Sequence, residues 1–178
     1  MYTLLLVDDE EDVIEVIERK VSWEQIGFHV VGHAGNGFKA LEMMEDMQPD
    51  VVMTDIRMPY MDGLELCSNI RQRFPATKLL LFTGFDDFEY AKEAVHLEIE
   101  EYILKPLNLA EITEVFKKLK TKLDDELNEK KNTDILKQYY AASLPVLQSN
   151  FYTTLIEGRI PENELGRYMP VSYTHLTL

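Results

Sequence analysis

Three consecutive acids, Asp8, Asp9 and Glu10, follow an apolar run, and a fourth, Asp55, closes a second run further along the chain. A hydroxyl, Thr83, ends a third run, and an ammonium, Lys105, follows a short fourth run and precedes Pro106. Helix capping and the helix dipole account for one acid beside a run end, and hardly for three. If these ends lie side by side, three carboxylates, a hydroxyl and an ammonium converge on one pocket. Two unit charges about 5 Å apart repel by roughly 3 kcal/mol at an effective dielectric near 20. A divalent cation relieves that repulsion, and an all-oxygen set with few protein ligands suits Mg2+, which keeps waters and accepts phosphate oxygens. One carboxylate can then act as nucleophile towards a phosphoryl group, while Lys105 and Thr83 hold the oxygens on which charge accumulates.

Such convergence needs a sheet whose strands all end on one side. The apolar runs are uniformly apolar rather than alternating, as in strands covered on both faces, and amphipathic stretches separate them. The pattern predicts strands at Tyr2 to Val7, Phe28 to Ala34, Val51 to Thr54, Lys78 to Thr83 and Tyr102 to Leu104. Helices are predicted at Glu11 to Lys20, Phe38 to Met47, Leu64 to Phe74, Phe88 to Leu97 and from Ala110 onward. Five strands each followed by a helix through right-handed crossovers make a three-layer α/β doubly wound domain with a five-stranded parallel sheet. Ligands of such sheets bind outside the carboxyl ends of the strands, where these acids lie.

The fifth helix carries Ile112, Val115, Phe116, Leu119, Leu123 and Leu127 at near coiled-coil spacing and is expected to stop at the polar stretch 128–134. Beyond it, Ile135, Leu136, Tyr139 and Tyr140 predict another helical face broken at Pro145, and Phe151, Leu155 and Ile156 a last helix ending at Gly158. The division expected is a domain at 1–122, a helical C-terminal extension at 123–170 and a tail at 171–178. The 178 residues include 18 Lys and Arg against 32 Asp and Glu, a net charge of −14. Residues 1–123 hold 13 bases and 24 acids (−11), and 124–178 hold 5 and 8 (−3), so the acidity belongs mainly to the α/β domain. Such a chain is repelled by nucleic acid and by anionic lipid, which argues against a DNA-reading surface within it. The single cysteine, Cys67, excludes a disulfide framework and fits a small buried side chain in a reducing cytosol. No basic segment precedes the apolar start and no apolar run reaches the roughly 20 residues that cross a bilayer, so a cytoplasmic chain with no membrane partner is expected. His29, His33, His96 and His175 lack metal-ligand spacing, and Met43, Met44 and Met47 have the spacing of a helical core face.

The motifs resemble the receiver domain of two-component response regulators. The matching stretches are Leu5-Leu6-Val7-Asp8-Asp9-Glu10, Thr54-Asp55-Ile56-Arg57-Met58-Pro59 with Asp62-Gly63, Phe82-Thr83-Gly84-Phe85-Asp86-Asp87, and Tyr102-Ile103-Leu104-Lys105-Pro106. The resemblance covers residues 1 to about 122 and implies a flavodoxin-like (βα)5 fold with strand order 2-1-3-4-5. It implies that Asp55 is the phospho-acceptor, served by a histidine kinase. It further implies that Asp9, Asp55 and the backbone carbonyl of Arg57 bind Mg2+, with Asp8 assisting through water. Lys105 would pair with the phosphoryl group before a cis bond to Pro106. Thr83 would move onto a phosphoryl oxygen and Tyr102 would turn inward, repacking the face of the fourth helix, fifth strand and fifth helix towards a homodimer. Such a domain is a signalling module that catalyses only its own phosphoryl transfer and dephosphorylation.

Residues 85–91 resemble the start of the fourth helix in receivers joined to AraC-type DNA-binding domains, although Glu98 stands where those receivers place a glycine. A non-glycine residue there costs on the order of 1 kcal/mol, which predicts a rearranged loop. Residues 151–169 resemble the region that joins such receivers to a helix-turn-helix, and no paired helix-turn-helix segment follows. DNA is therefore expected as a partner only through a C-terminal domain absent from these residues. Residues 171–178 resemble translated sequencing-adaptor read-through, which makes them a non-native tail after Pro170. The alternative within this class is a stand-alone receiver acting through protein contacts. A remoter alternative is a dinucleotide-binding enzyme: Gly35-Asn36-Gly37-Phe38-Lys39-Ala40 fits G-x-G-x-x-[GA], and Asp55 lies 20 residues past Gly35. That fingerprint follows the second strand and leaves Asp8, Asp9, Thr83 and Lys105 without a role.

Overall fold

Apolar runs form the buried central strands of the sheet, whereas the two edge strands also carry the exposed residues His29, His33 and Glu101, and amphipathic stretches cover both faces. The computed structural model describes residues 1–84, 88–106 and 108–156. Its elements are β1 (Tyr2–Val7), α1 (Glu11–Lys20), β2 (Phe28–Ala34), α2 (Gly37–Met47), β3 (Val51–Asp55), α3 (Gly63–Arg73), β4 (Lys78–Thr83), α4 (Phe88–His96), β5 (Glu101–Leu104) and α5 (Leu109–Ile156), with a short 3-10 turn at Trp23–Ile26. The five strands pair in parallel in the order β2-β1-β3-β4-β5, the expected flavodoxin-like arrangement. The order reverses direction between β1 and β3, so the crevice for a ligand opens where Asp8 and Asp55 stand.

The chain divides into two units, Met1–Asp124 and Asp125–Leu178. In the first unit, alternate strand residues face opposite layers. Leu4, Leu6, Met53, Leu80 and Phe82 pack with Ile14 and Ile17 of α1 and Ile112, Phe116 and Leu119 of α5. Leu5, Val7, Val52, Leu79 and Leu81 pack with Ala40 and Met44 of α2, Leu66, Cys67 and Ile70 of α3, and Ala94 of α4. The rings of Trp23 and Phe28 meet Phe116 edge-on at centroid distances of 4.7 and 5.0 Å. Each fully buried side chain of this size contributes about 2 kcal/mol. Cys67 is buried as expected, which pushes its thiol up to about 12. Met44 is core, but Met43 is half-buried and Met47 is exposed, so the methionine spacing overstates that face.

Three local expectations change. The fifth helix does not stop at 128–134 and runs through Pro145. Residues 109–144 contain neither Gly nor Pro, and the polar residues of 128–134 tolerate a helix interior. Pro145 removes one hydrogen bond on an exposed helix, where water can satisfy the orphaned carbonyl. Glu98 adopts the left-handed conformation, with φ +53°, so the loop is kept and not rearranged. Arg71 holds it, donating to the carbonyls of Leu97 at 3.1 Å and Glu98 at 2.8 Å. In the second unit the described side chains of residues 125–156 are exposed, apart from half-buried Leu144. The expected tail 171–178, the joining segment from 157 to 170 and the motif residues 85–87 lie outside the described residues.

Candidate functional site

The strand ends deliver the acids together. Asp8 follows β1, whose register with β2 carries the N–H of Asp8 to the carbonyl of Ala34 at 3.1 Å. Its Oδ1 accepts the N–H of Glu10 at 2.8 Å, a bend that turns the chain into α1. Asp55 is the last residue of β3. Carboxylate oxygens of Asp8, Asp9 and Asp55 all lie within 4.8 Å of one another. Asp8 and Asp55 are buried, and Asp9 is exposed at the mouth.

Lys105 reaches this cluster from the end of β5. Its Nζ lies 3.1 Å from Asp8 Oδ2, 3.6 Å from Asp55 Oδ1 and 3.6 Å from Glu10 Oε1. Its Nζ also stands over the ring of Phe82, 5.0 Å from the centroid. Its N–H donates to the carbonyl of Thr83 at 2.7 Å, which ties the ends of β4 and β5 together. The bond from Lys105 to Pro106 is cis. Thr83 is fully buried at the end of β4, and Tyr102 is half-buried on β5 against the layer of α3 and α4. Arg57 is exposed just beyond β3, its guanidinium 6.0 Å from the centroid of the Tyr90 ring on α4.

Among the described residues one ammonium faces four acids, Asp8, Asp9, Glu10 and Asp55, which leaves the pocket short of positive charge. Burial pushes the Asp55 carboxyl up to about 6, against the pull of Lys105 and with the push of Asp8. Burial also raises Asp8, opposed by the N–H of Glu10 and by Lys105. Burial alone would lower Lys105, but its hydrogen bond to Asp8 and the charges of Asp55, Asp8 and Glu10 raise it. An all-oxygen, electron-rich set of this kind fits a hard divalent cation. Among the described residues no other group of His, Cys, Asp and Glu side chains has metal-binding spacing.

The loop from β3 to α3 is fixed by close backbone approach. A Cβ on Gly63 would stand 2.0 Å from the carbonyl oxygen of Asp55, and the N–H of Gly63 donates to Ile56 at 2.8 Å. Asp62 caps α3 by accepting the N–H of Glu65 at 2.8 Å. The sequence signals this as an Asp-Gly pair before a helix, but the contact with Asp55 is long-range and has no local signature. Glu10 is likewise visible in the acid run, while its reach to Lys105 is not. The residues of the dinucleotide fingerprint serve the chain's own packing: Asn36 caps α2 by accepting the N–H of Lys39 at 2.9 Å, and the Met61 side chain occupies the space beside Gly37.

The response regulator receiver domain family matches residues 4–117 of the chain. The chain belongs to the response regulator receiver family. The chain is 37% identical over 137 residues to the uncharacterized transcriptional regulatory protein YesN of Bacillus subtilis, covering 77% of this chain and 37% of YesN. It spans little more than a third of that relative. Among solved structures, the receiver domain of AraT, a response regulator from Geobacillus stearothermophilus, superposes with a TM-score of 0.67 at 36% identity, covering 71% of this chain and 98% of that one. A DNA-binding response regulator of the LuxR family from Staphylococcus aureus superposes with a TM-score of 0.61 at 28% identity, covering 66% and 98%. Among the described residues no helix is long and apolar enough to cross a membrane.

Proposed function

We propose that Asp55 accepts a phosphoryl group from a phosphohistidine of a histidine kinase, and that this modification controls a transcriptional output. The observation that carries the reading is the meeting of three carboxylates within 4.8 Å under a single ammonium, at the sheet's reversal point. An Asp55 oxygen forms the new bond to phosphorus as the bond from imidazole nitrogen to phosphorus breaks, and the imidazole leaves with that electron pair. Asp8, Asp9, Asp55 and the backbone carbonyl of Arg57 would hold Mg2+, which when bound neutralises the acids and the charge on the transferring group. Lys105 pairs with the phosphoryl oxygens from its place above Phe82. Thr83 donates its hydroxyl to the same group, and Tyr102 follows it inward, so that the face of α4, β5 and α5 favours a homodimer.

Residues 1–122 act as receiver and 123–170 as linker and start of the middle region, with 171–178 as non-native tail. The output is transcription, which the similarity to the transcriptional regulatory protein YesN supports, through a DNA-binding domain of the AraC type, a reading that rests on the resemblance of segments 85–91 and 151–169. Reading the full source gene decides that assignment. The chemistry is tested by incubating the protein with Mg2+ and acetyl phosphate and weighing it intact. One phosphoryl group is expected, lost on removal of Mg2+ and in Asp55→Ala; unchanged labelling of that variant overturns the assignment.

A further inference from the structure

The loop that leaves Asp55 carries a strained and exposed aromatic residue. Tyr60 has φ +71°, and across it the N–H of Met61 donates to the carbonyl of Pro59 at 2.9 Å. A hydrogen bond closed over one residue with positive φ is the rarer, strained form of the γ-turn. For a bulky side chain positive φ is an outlier, and glycine or asparagine would occupy it at lower cost. No burial offsets the strain, because Tyr60 is 86% exposed. The surroundings nevertheless enforce it. Met58 and Met61 on either side are buried, Met61 lies against Gly37, and Gly63 is locked against the backbone of Asp55. Two methionines anchor the loop and lift the tyrosine between them into water, five residues after the proposed phospho-acceptor. Phe38, beside Gly37 on α2, is exposed as well, so the element that Met61 touches presents a second aromatic.

Strain held by its surroundings at the edge of a site points to a role for the strained residue. Resting on the reading of Asp55 as phospho-acceptor, we infer that Tyr60 is a recognition residue for the phosphohistidine-bearing protein, packing its ring on the donor's surface while phosphoryl transfer takes place. Asp55 is only 6% exposed, so a protein donor must cover the rim of the pocket to bring its phosphorus into reach. Tyrosine suits that contact, offering a large amphipathic surface on few rotatable bonds. A small phosphodonor enters the pocket without covering the rim and is indifferent to Tyr60.

The test compares two donors on the full chain: acetyl phosphate, and the autophosphorylated catalytic core of a histidine kinase selected because it labels the wild-type protein. Tyr60→Gly and Tyr60→Asn relieve the backbone and are expected to raise Tm while leaving acetyl phosphate labelling within about twofold of wild type. Transfer from the kinase should lose at least about tenfold in kcat/KM, about 1.4 kcal/mol, mainly through KM. Tyr60→Phe keeps the ring and should transfer normally. Kinase transfer unchanged in Tyr60→Gly and Tyr60→Asn overturns the inference, as does an equal loss with both donors. Absence of labelling of the wild-type protein by acetyl phosphate and by every kinase tried is a different result: it removes the phospho-acceptor reading and this inference with it.

Discussion

At the amino ends of the strands Asp50 accepts both the N–H and the hydroxyl of Thr3, at 2.7 and 2.8 Å, and Glu100 lies 3.3 Å from Lys78 and 2.5 Å from Lys122. At the carboxyl ends Asp8, Asp55 and Glu10 share Lys105. The same sheet thus holds acids in two opposite conditions. Burial would raise Glu100, but the hydrogen bond from Lys122 and the charge of Lys78 win and hold it below its ordinary value. At the other end burial wins, and Asp55 and Asp8 are raised. Among the described residues two cations hold Glu100, whereas around Asp55 one cation is shared by several acids. One end of the sheet is closed by its own side chains, while the other is left with a charge deficit that a cation and a phosphoryl group can fill.

The largest expected effect tests how rigidly the carboxyl end is held. Gly63→Ala places a methyl group into the Asp55 carbonyl, a clash with backbone on both sides, and should cost on the order of 3 kcal/mol by denaturant unfolding. A loss under about 1 kcal/mol would mean that this loop yields readily. The next effect tests the charge deficit itself. Because the folded carboxyl of Asp55 titrates near 6 against an ordinary 3.8, its favourable contribution is full below about 4 and is lost as pH rises through about 6. In chelator, Asp55→Asn should therefore stabilise the protein at pH 7.5 by on the order of 1–3 kcal/mol, and the difference should vanish near pH 4. Mg2+ should stabilise the wild type at pH 7.5 and lose that effect as pH falls through about 6. A destabilised Asp55→Asn at pH 7.5 would erase the contrast between the two ends.

The smallest effect belongs to the closed end. Glu100→Gln should destabilise by about 0.5–1 kcal/mol at pH 7 and low salt, less at high salt. The folded-state value of Glu100 lies below 4.5, so its contribution is present above that pH and fades as pH falls through the lowered value. A rise in stability on Glu100→Gln would show that Lys78 and Lys122 do not compensate its burial.

Much of this was legible from local pattern. Uniform apolar runs read as buried parallel strands, and the acids at their ends marked where chemistry sits. Where the reading failed, the deciding contact was distant in sequence or there was no stop signal. Glu98 keeps its left-handed backbone because Arg71, 26 and 27 residues away from the carbonyls it binds, holds the turn. Polarity alone predicts a helix break at 128–134, but the stretch lacks the Gly or Pro that ends helices, and the helix runs on.

By itself the sequence determined the strand order's family, the site's residue types and their placement at strand ends, since periodicity and short motifs are properties of neighbouring residues. Only the tertiary structure decided how those groups behave. Lys105 meets Asp8 across 97 residues, Gly63 locks the backbone of Asp55, and the two methionines hold Tyr60 out in water. The raised carboxyl of Asp55 follows from burial and from the count of charges around it, and both exist only after the strands have been laid side by side.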